Sequence, residues 1–444
     1  MSAQAEARLW DTLRAAGRAG DLSVLQALYR DGQLDTRTLN TLLGLAVQWT
    51  PDIVKWVASL EGVDVHTQDD VAFCAACRRG DLALAQWFVS LGGVDVHYSV
   101  TFRQACTQND LAMAQWLHGL AGRAFLRDSD PDRNFYNDVF VDVCSYGALA
   151  VAQWLHGFDV VDVRYRDYMA FGVACRFGHL ATAQWLASVG GDLGARGQRC
   201  VALDDVCREG HLAVVQWLHG LGVTSYFGEE HLFHTACRHG RWEVVQWLVS
   251  VGATGALTLH DLAEDAIDLA CAQGNLGAVQ WLFGLSGARA HLLTLDLTAP
   301  FNAACKSGSL PLVQWLVAQG VQPGGPARAF GLACRSGNVQ LAQWLLGRGD
   351  FDIRVHASGA FREACETNSI VVAQWLHRGG HVDVHAGCDA AAWTALRYPP
   401  LLQWLMTLDP DEAAWPLYYW RVLKHWSQPR DAWMRSVVRA PQLP

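Results

Sequence analysis

Lysine is nearly absent from this chain: Lys55, Lys306 and Lys424 are the only three in 444 residues. Charge of either sign is sparse, at 17% of residues, and the formal balance is −9. A net-acidic chain has no general pull on nucleic acid or anionic membranes, so neither is expected as a partner. No apolar run reaches the roughly eighteen residues of a membrane-spanning helix, because glycines and a recurring Gln-Trp pair break every one. The opening MSAQAEARLWDTLRAAGRAGDL has early acidic residues and no apolar core, so it does not read as a secretory leader. The 51% hydrophobic content argues against disorder. Nor is there a Gly-Lys phosphate loop or a G-x-S-x-G nucleophile turn. What these absences leave is a folded, soluble, non-catalytic protein, expected in the cytoplasm or nucleus.

What is present is a repeat. Tryptophans recur in one register from Trp56 through Trp87, Trp116, Trp154, Trp185, Trp217, Trp247, Trp281, Trp315, Trp344 and Trp375 to Trp404. Eleven of the twelve follow glutamine, and their intervals run from 29 to 38 residues. Ten residues before the tryptophan stands a cysteine in ten consecutive repeats, from Cys77 to Cys365, with Cys175 and Cys207 in the middle. Four residues before that cysteine stands Phe73, Phe102, Phe140, Phe171, Phe233, Phe301, Phe330 or Phe361, with Leu203 and Ile267 in the remaining two. Phenylalanine and cysteine at i and i+4 share one helix face. Three residues after the cysteine comes glycine, as at Gly178 and Gly210, or else Asn109 or Asn368. These residues tolerate the left-handed conformation that closes a helix. A second, broadly apolar helix follows, for example from Asp81 to Ser90, and neighbouring repeats must cover it. A further glycine then leads into a piece such as Val63-Asp64-Val65-His66, which is expected to be an extended linker able to bend into a hairpin.

The stretches Ala174-Cys175-Arg176-Phe177-Gly178-His179-Leu180 and Cys207 to Leu218 resemble the helix-turn-helix core of ankyrin repeats. The likeness covers about residues 10 to 406. The family's T-P-L-H opening is missing, and phenylalanine takes its leucine slot. Repeats rich in Gln-Trp-Leu and without that opening are similar to divergent ankyrin proteins of large DNA viruses of amoebae, which would place the protein in a host cell. The resemblance implies an all-α, right-handed solenoid of about twelve full repeats. Residues 1–40 would form a degenerate N-terminal capping repeat. The array would span 41–407, with a loop insertion over 121–138. The Trp-rich stretch 408–444 would be a helical C-terminal cap.

Other patterns are weaker. Cys74 and Cys77 form a CxxC, but zinc needs two further ligands at close spacing, and the repeated cysteine stands in the family's small alanine slot. It is read as packing, with no metal and no cofactor expected. His231 and His234 lie three apart, whereas a zinc-protease helix needs histidines four apart. The register tryptophans are read as fillers between adjacent second helices rather than as a stacking ladder. The glutamine beside them is expected to hydrogen-bond between repeats.

The position after the register cysteine is often basic, at Arg78, Arg176, Arg208, Arg238, Lys306 and Arg335. It falls in the last turn of the first helix, where a cation complements the helix dipole. The resemblance puts that helix on the concave side, so these cations are also candidate partner-binding residues. The implied function is a monomeric protein-protein interaction scaffold. The alternative is a substrate-recruiting adaptor of a ubiquitin ligase, which would need a ligase-binding element at one end, and neither end shows an F-box-like segment.

Overall fold

A second helix starts five residues after every register cysteine, from Leu82 after Cys77 to Ile370 after Cys365. This regularity is seen in a computed structural model of the chain. The model describes residues 3–92, 98–121, 134–190, 203–223, 228–253, 258–285, 288–322, 324–349 and 351–380, with single positions at 94, 382, 398, 400, 401 and 404. Among the described residues every regular element is a helix and there is no strand. The register around Trp404 and the expected C-terminal cap lie almost wholly outside the described residues.

Contacts divide the chain into two units, Met1–Gly255 and Ala256–Pro444. The first is a stack of eight helix pairs: α1 Ala3–Ala19 with α2 Leu22–Arg30, α3 Thr36–Ala46 with α4 Pro51–Ala58, α5 Thr67–Arg78 with α6 Leu82–Ser90, α7 Tyr98–Thr107 with α8 Leu111–Ala121, α9 Phe135–Ser145 with α10 Leu149–His156, α11 Tyr165–Arg176 with α12 Leu180–Val189, α13 Leu203–Glu209 with α14 Leu212–Gly220, and α15 Glu229–Arg238 with α16 Trp242–Ser250. From α3 onward each first helix packs on the next first helix. The second unit pairs α17 Leu259–Ala272 with α18 Leu276–Gly284, inserts the short α19 Ala288–Leu292, and continues with α20 Thr298–Ser307 and α21 Leu310–Ala318, α22 Pro326–Ser336 and α23 Val339–Gly347, and α24 Ile353–Glu366 and α25 Ile370–Arg378.

The turn between paired helices follows from two backbone bonds. At α11 the amide of Gly178 donates to the carbonyl of Cys175 (3.1 Å), and that of His179 donates to Ala174 (2.9 Å). This is the Schellman closure, and it holds Gly178 at φ +82°. Asn109 and Asn368 occupy the same conformation at +60° and +59°.

Side chains then lock one repeat to the next. The register phenylalanines are buried. Six of the eight turn toward the tryptophan of the following repeat, as in Phe140–Trp185 (6.3 Å between centroids), Phe171–Trp217 (6.1 Å) and Phe330–Trp375 (6.3 Å). The residue two after one tryptophan touches the next tryptophan, in His118–Trp154, His156–Trp185, His219–Trp247 and Phe283–Trp315, and Tyr29, two after Ala27 in the first repeat, touches Trp56 in the same way. The tryptophans are thus half-buried wedges between repeats. Burying a side chain of this class contributes about 1.5–3 kcal/mol.

Three expectations are corrected. The expected extended linker is a tight turn at 63–66 and at 161–164. Its aspartate makes it so. The Asp64 carboxylate accepts from the His66 amide (2.9 Å), while the Asp64 amide donates to Asn40 Oδ1 of α3 (3.0 Å). Asp162 repeats both bonds with Arg164 (2.9 Å) and with Asn137 of α9 (2.8 Å). The insertion over 121–138 is shorter than expected, because Ala121 ends α8 and Phe135 to Asp138 begin α9; residues 122–133 lie outside the described residues. Finally, the glutamines beside Trp87 to Trp375 point to solvent or sit at its edge and make no side-chain hydrogen bond among the described residues. Their position faces away from the seam that the tryptophan fills.

Candidate functional site

The post-cysteine cations fall in the last turn of their first helices, and the structure sorts them into groups. Arg176, Arg208 and Arg238 stand at equivalent positions of α11, α13 and α15, which are adjacent helices. Arg78 ends α5 and is set apart from that row, because the intervening α7 and α9 carry Thr107 and Ser145 at the same position. In the second unit Lys306 and Arg335 lie on neighbouring α20 and α22. Glu366 at the same position of α24 approaches Arg335 (3.9 Å) and ends that row.

Within the first row the three arginines differ. Arg208 is paired with Asp205 one turn earlier (2.7 Å). The Arg176 guanidinium lies over the ring of Phe177, 5.8 Å from its centroid, and has no carboxylate in ion-pair reach among the described residues. Arg238 is exposed.

The helix ends beneath them are already bonded. His179 Nε2 meets the Ser145 carbonyl at the end of α9 (2.9 Å), Arg241 Nε donates to the Arg208 carbonyl (2.8 Å), and the His211 ring lies near the Arg176 carbonyl. These three residues precede second helices, where Asp81 and Asn275 instead cap their own helix, and Asn338 does both, capping its helix and donating to the Gly308 carbonyl of the preceding repeat (2.7 Å). The cost is a missing N-cap; the return is a bond from repeat to repeat. Burial holds His211 and His118 below the ordinary imidazole pKa, so both favour the neutral ring. This position was not singled out in the sequence, although His179-Leu180 and His211-Leu212 stand in plain sight beside their glycines.

The ten register cysteines are buried free thiols. Burial pushes Cys77, Cys175, Cys207, Cys271 and Cys305 up to about 12, and Cys106, Cys144 and Cys334 higher still. A thiol with so little thiolate is unreactive. Alkylation of the native protein is therefore expected to spare all ten, and alkylation after unfolding without reductant to label all ten. Mass mapping reads both, and a register cysteine that stays blocked in the unfolded chain refutes the unpaired state. Cys74 is half-buried near Thr101 (3.9 Å), and no group of three metal-binding side chains occurs among the described residues. His231 and His234 lie beside Asp204 (3.6 Å) and Glu230 (3.8 Å).

A family model for three ankyrin repeats matches residues 267–357, and a single-repeat model matches residues 229–256. Residues 229–256 and 267–357 carry ankyrin repeats. The helical stacks fit an ankyrin helical solenoid, and ankyrin-repeat proteins are generally non-catalytic interaction scaffolds. A search of curated proteins finds no match. No described helix of these repeats is long and apolar enough to cross a membrane. The register tryptophans and cysteines, including Trp185, Trp217, Cys175 and Cys207, lie half-buried and buried within the helical stack.

Proposed function

We propose that this ankyrin-repeat chain is a scaffold that docks an acidic segment of a partner protein along Arg176, Arg208 and Arg238. The observation that carries the reading is the row itself: three adjacent first helices end in cations although the chain is net acidic. Helix capping does not use up the row, because the terminal carbonyl of α13 is taken by Arg241 and the His211 ring stands beside that of α11. The charge-dipole interaction of each cation with its own helix, about 0.3–1 kcal/mol, coexists with docking. The wider reading includes a monomeric, intracellular protein and the likeness to ankyrin proteins of large DNA viruses of amoebae. It extends the partner-binding assignment to Arg78, Lys306 and Arg335 as outlying contacts.

Affinity purification of the tagged chain from its own cell identifies the partner. Arg176, Arg208 and Arg238 are then reversed to glutamate together. The variant is expected to keep its helical content and lose the partner, and wild-type binding is expected to weaken with salt as the Debye length falls from about 10 Å at 0.1 M to about 3 Å at 1 M. A folded variant with unchanged partners sinks the proposal. Co-purification of a cullin- or Skp1-type subunit would move the reading to the ligase adaptor.

A further inference from the structure

The exposed side of α11 differs from that of the other first helices. At the position three before the register cysteine most first helices carry a side chain, such as Arg103, Val141, His234 or Arg362, whereas α11 carries Gly172; Gly331 of α22 also stands in this register, but there Glu363 of α24 comes within 3.4 Å of where a Cβ would be. The missing side chain leaves a groove of about 310 Å³ between α11 and α13. Met169 and Val173 flank Gly172 on the same helix face, Arg176 stands at the C-terminal end, and Asp205 of α13 forms the opposite wall. A groove of this size holds one large apolar side chain.

The surroundings of Arg176 are unusually apolar for a surface. Met169 is 40% exposed, Phe177 49% and Tyr146 67%. Phe177 and Tyr146 occupy the same register position in adjacent repeats, two residues after the cysteine. Arg176 at the end of the groove and the exposed Phe177 next to it are of the residue types that carry binding energy at interfaces, whereas Tyr146 belongs to the preceding repeat on α9. The charges set a direction. Asp205 is held by Arg208 (2.7 Å), and Arg166 shares Asp138 (3.3 Å), so both are largely neutralised. Among the described residues Arg176 has no such carboxylate, whereas Asp167 lies at the opposite end of the groove.

We propose that the Gly172 groove is the anchor point of the acidic partner segment: one large apolar side chain enters the groove between Met169 and Val173, and a neighbouring carboxylate of the same segment pairs with Arg176. The carboxylate faces away from Asp167, which fixes the polarity of the bound segment. This rests on the protein-docking reading above and adds a residue-level specificity that a row of cations alone does not have.

The test uses the full chain and a random heptapeptide display library as the probe, with fluorescence anisotropy of the enriched peptides. Selection on the wild type is expected to enrich one large apolar residue next to aspartate or glutamate. Gly172→Leu fills the groove on an exposed helix face, where glycine is the poorer helix former. It is expected to weaken the enriched peptides by about tenfold or more, an effect typical of an anchor residue. Met169→Ser removes one apolar wall without adding volume and guards against a folding defect in the first variant; it is expected to weaken them too. No enrichment, enrichment without the apolar-acidic pattern, or equal binding by both folded variants overturns the anchor. If the natural partner is lost on triple arginine reversal but keeps its affinity for Gly172→Leu, the strip stands and the groove falls.

Discussion

Replacing Phe140 by alanine is expected to destabilise the first unit by about 3–5 kcal/mol. Phe140 lies on α9, is 1% exposed, and reaches across the repeat boundary to Trp185 of α12. Its removal opens a cavity on both sides of one seam. The neighbours are helices bonded to their own partners, so they can collapse into the space only in part. In a stack where each repeat touches only its neighbours, the loss is local. Hydrogen exchange should therefore accelerate over α9 to α12 before it does in α3 or α4, and the denaturant midpoint should fall. Gln184→Ala, one residue from the tryptophan, should change stability by no more than about 0.5 kcal/mol, the usual range for a surface site. A large effect at Gln184 or a small one at Phe140 would mean that the seam is built differently.

That contrast shows what a single sequence reveals here and what it hides. Phenylalanine, cysteine and tryptophan keep fixed spacing because each fills one slot of a repeated core, and a slot with no room for variation leaves a periodic trace. The positive φ of Gly80, Gly178 and Gly308 is readable for the same reason, since few residues tolerate it. Glutamine beside tryptophan is just as periodic, yet it is exposed and unbonded; regularity alone does not tell a core position from a surface one. The tight turn at Asp64 and Asp162 was hidden because its second anchor, Asn40 or Asn137, lies 24 or 25 residues away. The Gly172 groove was hidden because it comes from a missing side chain, and sequence patterns draw attention to side chains that are present. The row of Arg176, Arg208 and Arg238 was legible as spacing. Asp205 beside Arg208 was not, because an i, i+3 pair of charges is common on any solvated helix.

Gly178→Ala is expected to cost about 2–4 kcal/mol, and it separates two reasons for one glycine. The first is conformational. Gly178 sits at φ +82°, where an L-residue with a Cβ loses roughly 1–2 kcal/mol. The second is the approach of the next repeat. A Cβ built at Gly178 would lie 2.4 Å from Nδ1 of His211, closer than atoms can pack. To make room, the His211 ring must leave its place beside the Arg176 carbonyl, and losing such a polar contact costs about 0.5–1.5 kcal/mol. Gly222 provides the control. It has φ +76° and, among the described residues, nothing within 4 Å of the added carbon, so Gly222→Ala should show mainly the conformational part, about 1–2 kcal/mol. A double-mutant cycle with His211→Ala completes the test. Removing the imidazole clears the space, so Gly178→Ala in that background should fall to the Gly222 value, with a coupling of about 1–2 kcal/mol between two residues 33 positions apart. Equal costs for Gly178→Ala with and without His211 would mean that the glycine serves backbone geometry alone and that the imidazole adds nothing to the lock between repeats.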